Sequence, residues 1–127
     1  MRVLALDYGR ARTGVAVSDP TGTIARPLGI VEGADVARIV ELIGEHDVER
    51  VVVGMPLTLT GARGEQARET EAFIEKLAAA TKVPVVHFDE RFTTDLAEQT
   101  ASPSTEEDAR AAAHLLSSYL AWASARA

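Results

Sequence analysis

The chain has 127 residues, 46% of them hydrophobic, which is the size of one ordinary domain with one hydrophobic core; we therefore expect a single domain over residues 1–127. The absence of cysteine excludes disulfide bonds and thiolate-bound zinc. A formal net charge of −6 at pH 7 argues against non-specific binding of nucleic acid, which depends on Lys and Arg to neutralise phosphates, but it leaves room for a local basic surface.

The N-terminal part of the chain has the pattern of three antiparallel strands. Residues 3–7 are apolar up to a final acid, and a second apolar run covers residues 13–18 after a glycine-containing bend. The composition of residues 19–22 indicates a turn, so residues 23–31 are predicted to return as a third strand. Pro27 restricts that strand to an edge of the sheet or an interruption, because proline cannot donate a ladder hydrogen bond.

The rest of the chain alternates helices and strands. Apolar residues spaced as on one helix face follow a candidate cap at Asp35, and residues 50–54 are β-branched and apolar, as in a strand buried on both faces. A second helix precedes a strand at residues 84–88. A short helix at about 94–99 then leads to a last helix at about 105–123.

This order of elements predicts an α/β fold of the ribonuclease-H-like type. The sheet would have five strands, three of them antiparallel and the later ones joined by parallel crossovers, with helices on its faces. Open sheets wound in this way place their functional sites at the carboxyl ends of the central strands.

Three acids are candidates for such a site. Asp7 and Glu90 each follow an apolar strand, and Asp108 lies in the last helix on a face of apolar residues that should contact the sheet. Carboxylates are hard oxygen ligands, and a pair of divalent ions can activate water and stabilise the leaving oxygen of a phosphodiester. We expect Asp7 to bridge two Mg²⁺ or Mn²⁺ ions, with Glu90 and Asp108 completing one ion each.

Two of these acids also have plain structural interpretations. Asp7 could simply end its strand before a glycine turn, and Glu90 could form a solvated cluster with Asp89 and Arg91. Because neighbouring strand residues face opposite sides, Asp89 and Glu90 cannot both point into one site if the strand continues regularly. We favour Glu90, chiefly on the resemblance given below.

For Asp108 the competing interpretation is helix capping. Residues 104–107 fit a capping box, which accounts for Glu106 and Glu107 at the start of the helix. Asp108 instead shares the apolar face, where a carboxylate is costly unless it is paired or bound to metal, so it is the preferred third ligand. Further along the same helix, Tyr119 and Trp122 are predicted to lie in the core.

Four blocks of the sequence, in order, resemble the YqgF family of ribonuclease-H-fold proteins, which are described as Holliday junction resolvases or pre-16S rRNA nucleases. The resemblance covers nearly the whole chain. The blocks are Leu6-Asp7-Tyr8-Gly9 with residues 12–19, Val52-Val53-Gly54-Met55-Pro56-Leu57 with Gly61, Asp89-Glu90-Arg91-Phe92-Thr93-Thr94, and residues 108–120.

The resemblance implies a metal-dependent nuclease with Asp7, Glu90 and Asp108 as its catalytic and metal-binding residues. Its implied role is hydrolysis of phosphodiester bonds in processing the pre-16S rRNA end during ribosome biogenesis, with pre-rRNA as the partner and a monomer or homodimer as the active form. It also points to substrate-contacting residues in the first and third blocks, which are Arg12, Arg91, Thr93 and Thr94.

One segment departs from the family pattern. Relatives usually carry a longer stretch rich in Lys and Arg before the final acid, whereas residues 95–108 are short and contain no basic residue. This predicts weaker substrate binding. It also leaves Glu106 or Glu107 as alternatives to Asp108.

The same features indicate where the protein acts. No apolar run approaches the roughly 20 residues of a membrane-spanning helix, and the first residues lead directly into a strand without a signal sequence. Together with the family resemblance, this predicts a cytoplasmic protein with no membrane partner.

Other functions remain open from the sequence. A Holliday junction resolvase would use the same chemistry, but we expect it to need a symmetric dimer and a broad basic face. The Asp-Tyr-Gly turn at residues 7–9 also resembles the phosphate-binding turn of actin-like and sugar-kinase-like ATPases, which close two such domains over a nucleotide. A non-catalytic nucleic-acid-binding or scaffold protein that keeps the acids is the third alternative.

Overall fold

The computed structural model describes residues 1–56, 64–90 and 105–126. They form five strands and three helices. The strands are β1 (Val3–Asp7), β2 (Arg12–Ser18), β3 (Ala25–Glu32), β4 (Arg50–Met55) and β5 (Val85–Asp89), and the helices are α1 (Val36–Glu45), α2 (Glu65–Ala80) and α3 (Thr105–Ala125). The predicted short helix at residues 94–99 lies outside the described residues.

The five strands form one mixed sheet in the order β3-β2-β1-β4-β5. Strand β1 is antiparallel to β2 and parallel to β4, and β5 is parallel to β4. The connections from β3 to β4 and from β4 to β5 contain α1 and α2, because each joins two strands that run in the same direction and must return to the starting end of the sheet. Strands β3 and β4 are not neighbours, since β2 and β1 lie between them. The predicted architecture is therefore confirmed.

Helices cover the two faces of the sheet separately. Leu4 and Leu6 of β1 belong to a core with α1 and α2, whereas Val3 and Ala5 belong to a second core with α3. This division follows from the alternation of side chains along a strand. It also determines that Asp7, two residues beyond Ala5, lies on the α3 side.

Strand β3 is an edge strand, as Pro27 predicted. Its pairing with β2 shifts at this point, because Val15 lies opposite Gly29 whereas Ala16 lies opposite Pro27. Leu28 is thus the extra residue of a bulge, and it is among the exposed large hydrophobic residues.

Side-chain caps fix two of the connections. The Asp35 carboxylate accepts a hydrogen bond from the backbone N–H of Arg38 at 3.2 Å, which confirms the predicted start of α1. In the turn after β2, one carboxylate oxygen of Asp19 accepts from the N–H groups of Thr23 and Ile24 at 2.8 and 2.9 Å. These hydrogen bonds hold the pKa of Asp19 far below its usual range, and the bond from Ile24 lowers it most.

Helix α3 presents its apolar stripe to the sheet. Ala112, Leu115, Leu116 and Tyr119 are all buried, as predicted. The prediction was wrong for Trp122, which is 41% exposed at the edge of the cluster with its ring 5.7 Å from that of Phe88. Ala123, one residue further along, still packs against this cluster, so Trp122 lies at the side of the buried stripe and not beyond its end.

Candidate active site

Asp7 ends the central strand of the sheet. Its neighbour on one side is Gly14 of β2, which is its direct partner in the antiparallel register. On the other side, Leu6 pairs with Val53 of β4, so the next position along that strand is Gly54. The half-buried Asp7 therefore lies between two strands that each carry a glycine beside it.

Gly14 brings the start of α3 to Asp7. A Cβ atom at this glycine would lie only 2.6 Å from the carbonyl carbon of Asp108 and would clash with its carbonyl oxygen. Only glycine allows the helix backbone to approach β2 this closely. Asp108 is thereby positioned over the strand that pairs directly with Asp7.

Gly54 provides the equivalent space for Glu90. A Cβ atom there would lie 2.5 Å from Oε1 and 3.0 Å from Cγ of Glu90, so this side chain extends over β4 towards β1. The preceding Phe88 is buried in the core on the α3 side, and alternation from Phe88 places Glu90 on that side too. The side chain of Glu90 thus occupies the position beside Asp7 that a larger residue at 54 would take.

Asp108 also makes a charged contact. Arg12 of β2 approaches it with Nε close to Oδ2, and the two side chains are 31% and 28% exposed. Within the described part of the chain, Oδ2 itself is buried and has no hydrogen-bond partner. The contact is therefore a close ion pair, in which the charge of Arg12, and not a hydrogen bond of ordinary geometry, compensates the buried oxygen.

The structure brings the three predicted acids to the same face of the sheet, at the end where the central strand β1 finishes. In residues 1–56, 64–90 and 105–126, however, no three acidic or histidine side chains are already arranged to hold a metal ion. The residue types fit a divalent ion, because all three offer hard oxygen atoms and one of those oxygens is buried without a hydrogen bond. An ion bound through Oδ2 would compete with Arg12 for that oxygen.

The remaining predicted site residues are placed as follows. Glu106 is exposed and Glu107 is half-buried, and it is Asp108 whose backbone contacts β2. Arg12 lies at the rim of the site. Three predicted substrate-contacting residues lie outside the described residues, and they are Arg91, Thr93 and Thr94.

A second feature lies on the opposite side of the β1–β2 turn, and the sequence did not suggest it. An open cleft of about 380 Å³ runs between this turn and α2, lined by Tyr8, Arg10 and Glu69 among others. Arg10 donates from Nε to Oε2 of Glu69 at 2.9 Å and from Nη2 to Oε1. These hydrogen bonds raise the pKa of Arg10 and lower the pKa of Glu69. The partners are far apart in sequence, so no local pattern could have revealed them.

Comparisons with known proteins support the fold and identify the family. A family model described as RuvX, Holliday junction resolvase, matches residues 1–122. Two solved structures of RuvC from Thermus thermophilus have the same fold: one, in complex with a Holliday junction substrate, has a TM-score of 0.62 at 18% identity and covers 97% of this chain and 96% of that one. The other has a TM-score of 0.59 at 17% identity, with 97% of both chains covered.

Relatives of higher identity are each named "Putative pre-16S rRNA nuclease". The protein of Sulfurihydrogenibium sp. is 39% identical over 94% of this chain and 89% of its own length. That of Anaeromyxobacter sp. is 48% identical over 77% and 74%. That of Chloroflexus aurantiacus is 46% identical over 76% of this chain, and the match spans 66% of the relative.

The topology and these structural neighbours define a ribonuclease-H-like α/β fold, as the sequence predicted. The chain belongs to the RuvX family, which is the YqgF family that its sequence blocks resemble. Among the described residues, no helix is both long and apolar enough to cross a membrane.

Proposed function

We propose that this chain is a metal-dependent nuclease that hydrolyses phosphodiester bonds in processing the pre-16S rRNA end during ribosome biogenesis. The observation that carries the proposal is that Asp7, Glu90 and Asp108 lie on the same face of the sheet, at the end where β1 finishes. Asp7 and Asp108 lie beside Gly14, and Glu90 lies beside Gly54. Family membership and the names of the relatives support the nuclease class.

The proposed metal ligands are Asp7, Glu90 and Asp108. Two Mg²⁺ or Mn²⁺ ions bound there would activate a water molecule and stabilise the leaving oxygen of the phosphodiester. Asp7 is suited to contact both ions because it ends the central strand β1, whose neighbours are β2, over which Asp108 is positioned, and β4, over which the Glu90 side chain extends.

The surrounding chain holds these acids on rigid elements. Asp7 continues a strand whose preceding residues, from Val3 to Leu6, are at most 3% exposed. Asp108 is fixed through the backbone of α3 against Gly14. Sites built on packed strands and helices hold their geometry better than sites on loops, and this suits a reaction that depends on charge placed in advance.

The proposed substrate is pre-rRNA in the cytoplasm, in keeping with the names of the relatives. The alternative is a Holliday junction resolvase, which the description of the family favours. Cutting a four-way junction symmetrically requires two active sites related by a two-fold axis, so this alternative needs a homodimer, whereas RNA processing can proceed in a monomer.

The test is cleavage of three end-labelled substrates: single-stranded RNA, a structured fragment of the 16S rRNA precursor and a four-way DNA junction. Each is incubated with Mg²⁺, Mn²⁺ or EDTA. We compare wild type with Asp7→Asn and with Asp35→Asn, a control that removes the same charge at an exposed cap where Asn serves equally well.

RNA cleavage that needs metal, disappears in Asp7→Asn and persists in Asp35→Asn is the expected result. Preference for the junction, together with a dimer in solution, would replace the RNA function with the resolvase. If wild type cleaves no substrate, or Asp7→Asn cleaves as well as wild type, the acids are not catalytic and the protein is a binding or scaffold protein.

A further inference from the structure

Arg12 reaches the candidate site from the same strand that receives α3. It lies two residues before Gly14 on β2, so both residues face the α3 side of the sheet. Gly14 sets the position of the Asp108 backbone, and Arg12 then meets the Asp108 side chain. The contact is therefore built by the strand and does not depend on a flexible surface loop.

The ion pair holds an oxygen of Asp108 for which a metal ion would compete. Its Oδ2 is buried, lies against the guanidinium Nε of Arg12 and still has no hydrogen-bond partner among the described residues. Burying a carboxylate oxygen without a hydrogen bond is costly, and an opposite charge nearby offsets only part of that cost. A divalent ion is a hard cation with twice the charge of Arg12, so it is a direct competitor for this oxygen.

We propose that Arg12 is a positioning residue that holds Asp108 in the cation-free protein and is exchanged for a divalent ion when one binds. The inference rests on the proposed metal site. While no divalent ion is bound, Arg12 neutralises the charge of Asp108 and keeps its side chain against β2. The same contact competes with the ion, so metal affinity is set below what the three acids alone would give.

The direct test is the affinity for Mn²⁺, measured by isothermal titration calorimetry without any substrate. Removing the competitor in Arg12→Gln should tighten binding about fivefold, the upper range for a partly exposed ion pair. Arg10→Gln is the matched control, because it removes the same charge only two residues away, from an arginine that pairs with Glu69 on the other side of the sheet. Arg12→Lys keeps the charge and should stay near wild type.

A double-mutant cycle with Asp108→Asn tests whether the effect passes through this pair. In the Asp108→Asn background, Arg12→Gln should no longer change the Mn²⁺ affinity. Thermal unfolding with and without Mn²⁺ gives a second readout, because a tighter-binding variant gains more stability from the same metal concentration.

Equal effects of Arg12→Gln and Arg10→Gln would overturn the inference, since they would show a general charge effect. Weaker binding in Arg12→Gln would also overturn it. In both cases metal-dependent cleavage by wild type would leave the proposed function standing. Absence of Mn²⁺ binding in every variant would overturn the inference together with the proposed metal site.

Discussion

Arg10 and Arg12 lie two residues apart, yet their contacts with acidic partners differ in hydrogen bonding. Arg10 forms two hydrogen bonds with Glu69 on the α2 side, so that carboxylate is fully engaged. Arg12 contacts Asp108 on the α3 side, and the buried oxygen of that carboxylate has no hydrogen bond within the described residues. The first pair fastens a turn to a helix. The second compensates a buried charge without an ordinary hydrogen bond, and departures of this kind from the usual rules are typical of functional sites.

The largest expected effect separates Asp108 from its acidic neighbours in the first turn of α3. Asp108→Asn should lower metal-dependent cleavage by about 10²–10³-fold, because it removes a charged oxygen from the site where charge develops. Glu106→Gln is the control, since this residue is exposed and its loss should change the rate less than about twofold. Initial rates at saturating Mg²⁺ measure both; a larger loss in Glu106→Gln would move the site to the other acid.

Gly14→Ala should damage both the fold and the site. Its Cβ would meet the backbone of Asp108, which cannot swing aside, so α3 must shift at a cost of about 1–3 kcal/mol in the free energy of unfolding. Gly44→Ala is the control. Gly44 lies in α1, and a Cβ atom added there would meet no atom of the described residues within 4 Å outside its own helix backbone, so the substitution should stabilise the protein by about 0.5–1 kcal/mol. Urea unfolding of the two variants measures the difference. Equal stability of both would show that α3 does not need this close approach.

Gly54→Ala should separate activity from stability. The atoms it would meet belong to the Glu90 side chain, which can rotate away, so the loss of stability should be smaller than for Gly14→Ala. Cleavage should nevertheless fall at least about tenfold, because Glu90 is displaced from Asp7. Urea unfolding and initial rates of the same preparation test this. Full activity in Gly54→Ala would remove Glu90 from the proposed site.

On the α2 side, breaking a satisfied pair should have a small effect. Glu69→Gln keeps the shape of the side chain and removes the charge that Arg10 holds, so the melting temperature should fall slightly and cleavage should stay near wild type. Raising the salt concentration should reduce the difference in melting temperature, since screening weakens an exposed pair. A large loss of activity would place the cleft beside Tyr8 in the active site.

The smallest effect concerns Asp19, whose carboxylate is satisfied by the turn after β2. Its pKa is lowered in the folded protein, so its contribution to stability is present above its ordinary pKa and is lost as the pH falls through that value towards the folded one. Wild type should therefore lose stability on acidification below about pH 4, and Asp19→Asn should lose less. Melting temperatures from pH 7 to pH 3 compare the two. Identical slopes would show that the turn does not depend on the charge.

Much of the fold could be predicted because its signals are local. The acid that ends β1, the edge position forced by Pro27 and the cap at Asp35 each follow from a few neighbouring residues, and the structure has all three. Trp122 was misjudged because helical spacing shows roughly which face a residue occupies but not how wide the buried stripe is: the neighbouring Ala123 packs against the core, whereas Trp122 is exposed. Local sequence patterns are thus sufficient to predict the helices and strands but not which residues at the margin of a buried face are exposed.

Of the candidate site, only the acidic residues could be proposed from the sequence. A glycine at the end of a strand, such as Gly54, can let another group approach closely, but the sequence did not indicate which groups Gly14 and Gly54 make room for. These are the Asp108 backbone over β2 and the Glu90 side chain over β4. The pairing of Arg12 with Asp108 was equally hidden, because it depends on where α3 crosses β2. Long-range packing, which no sequence window contains, supplies these contacts.

The dependence of the site on the contact between α3 and Gly14 has a consequence for synthesis of the chain. Asp7 and Gly14 leave the ribosome early, whereas Asp108 follows only after roughly 5 to 20 s of further translation at ordinary rates. Until α3 docks on β2, the growing chain has two of the proposed ligands at most and cannot assemble the third. Hydrolytic capacity would therefore arise as one of the last events of folding, after the sheet that supports it has formed.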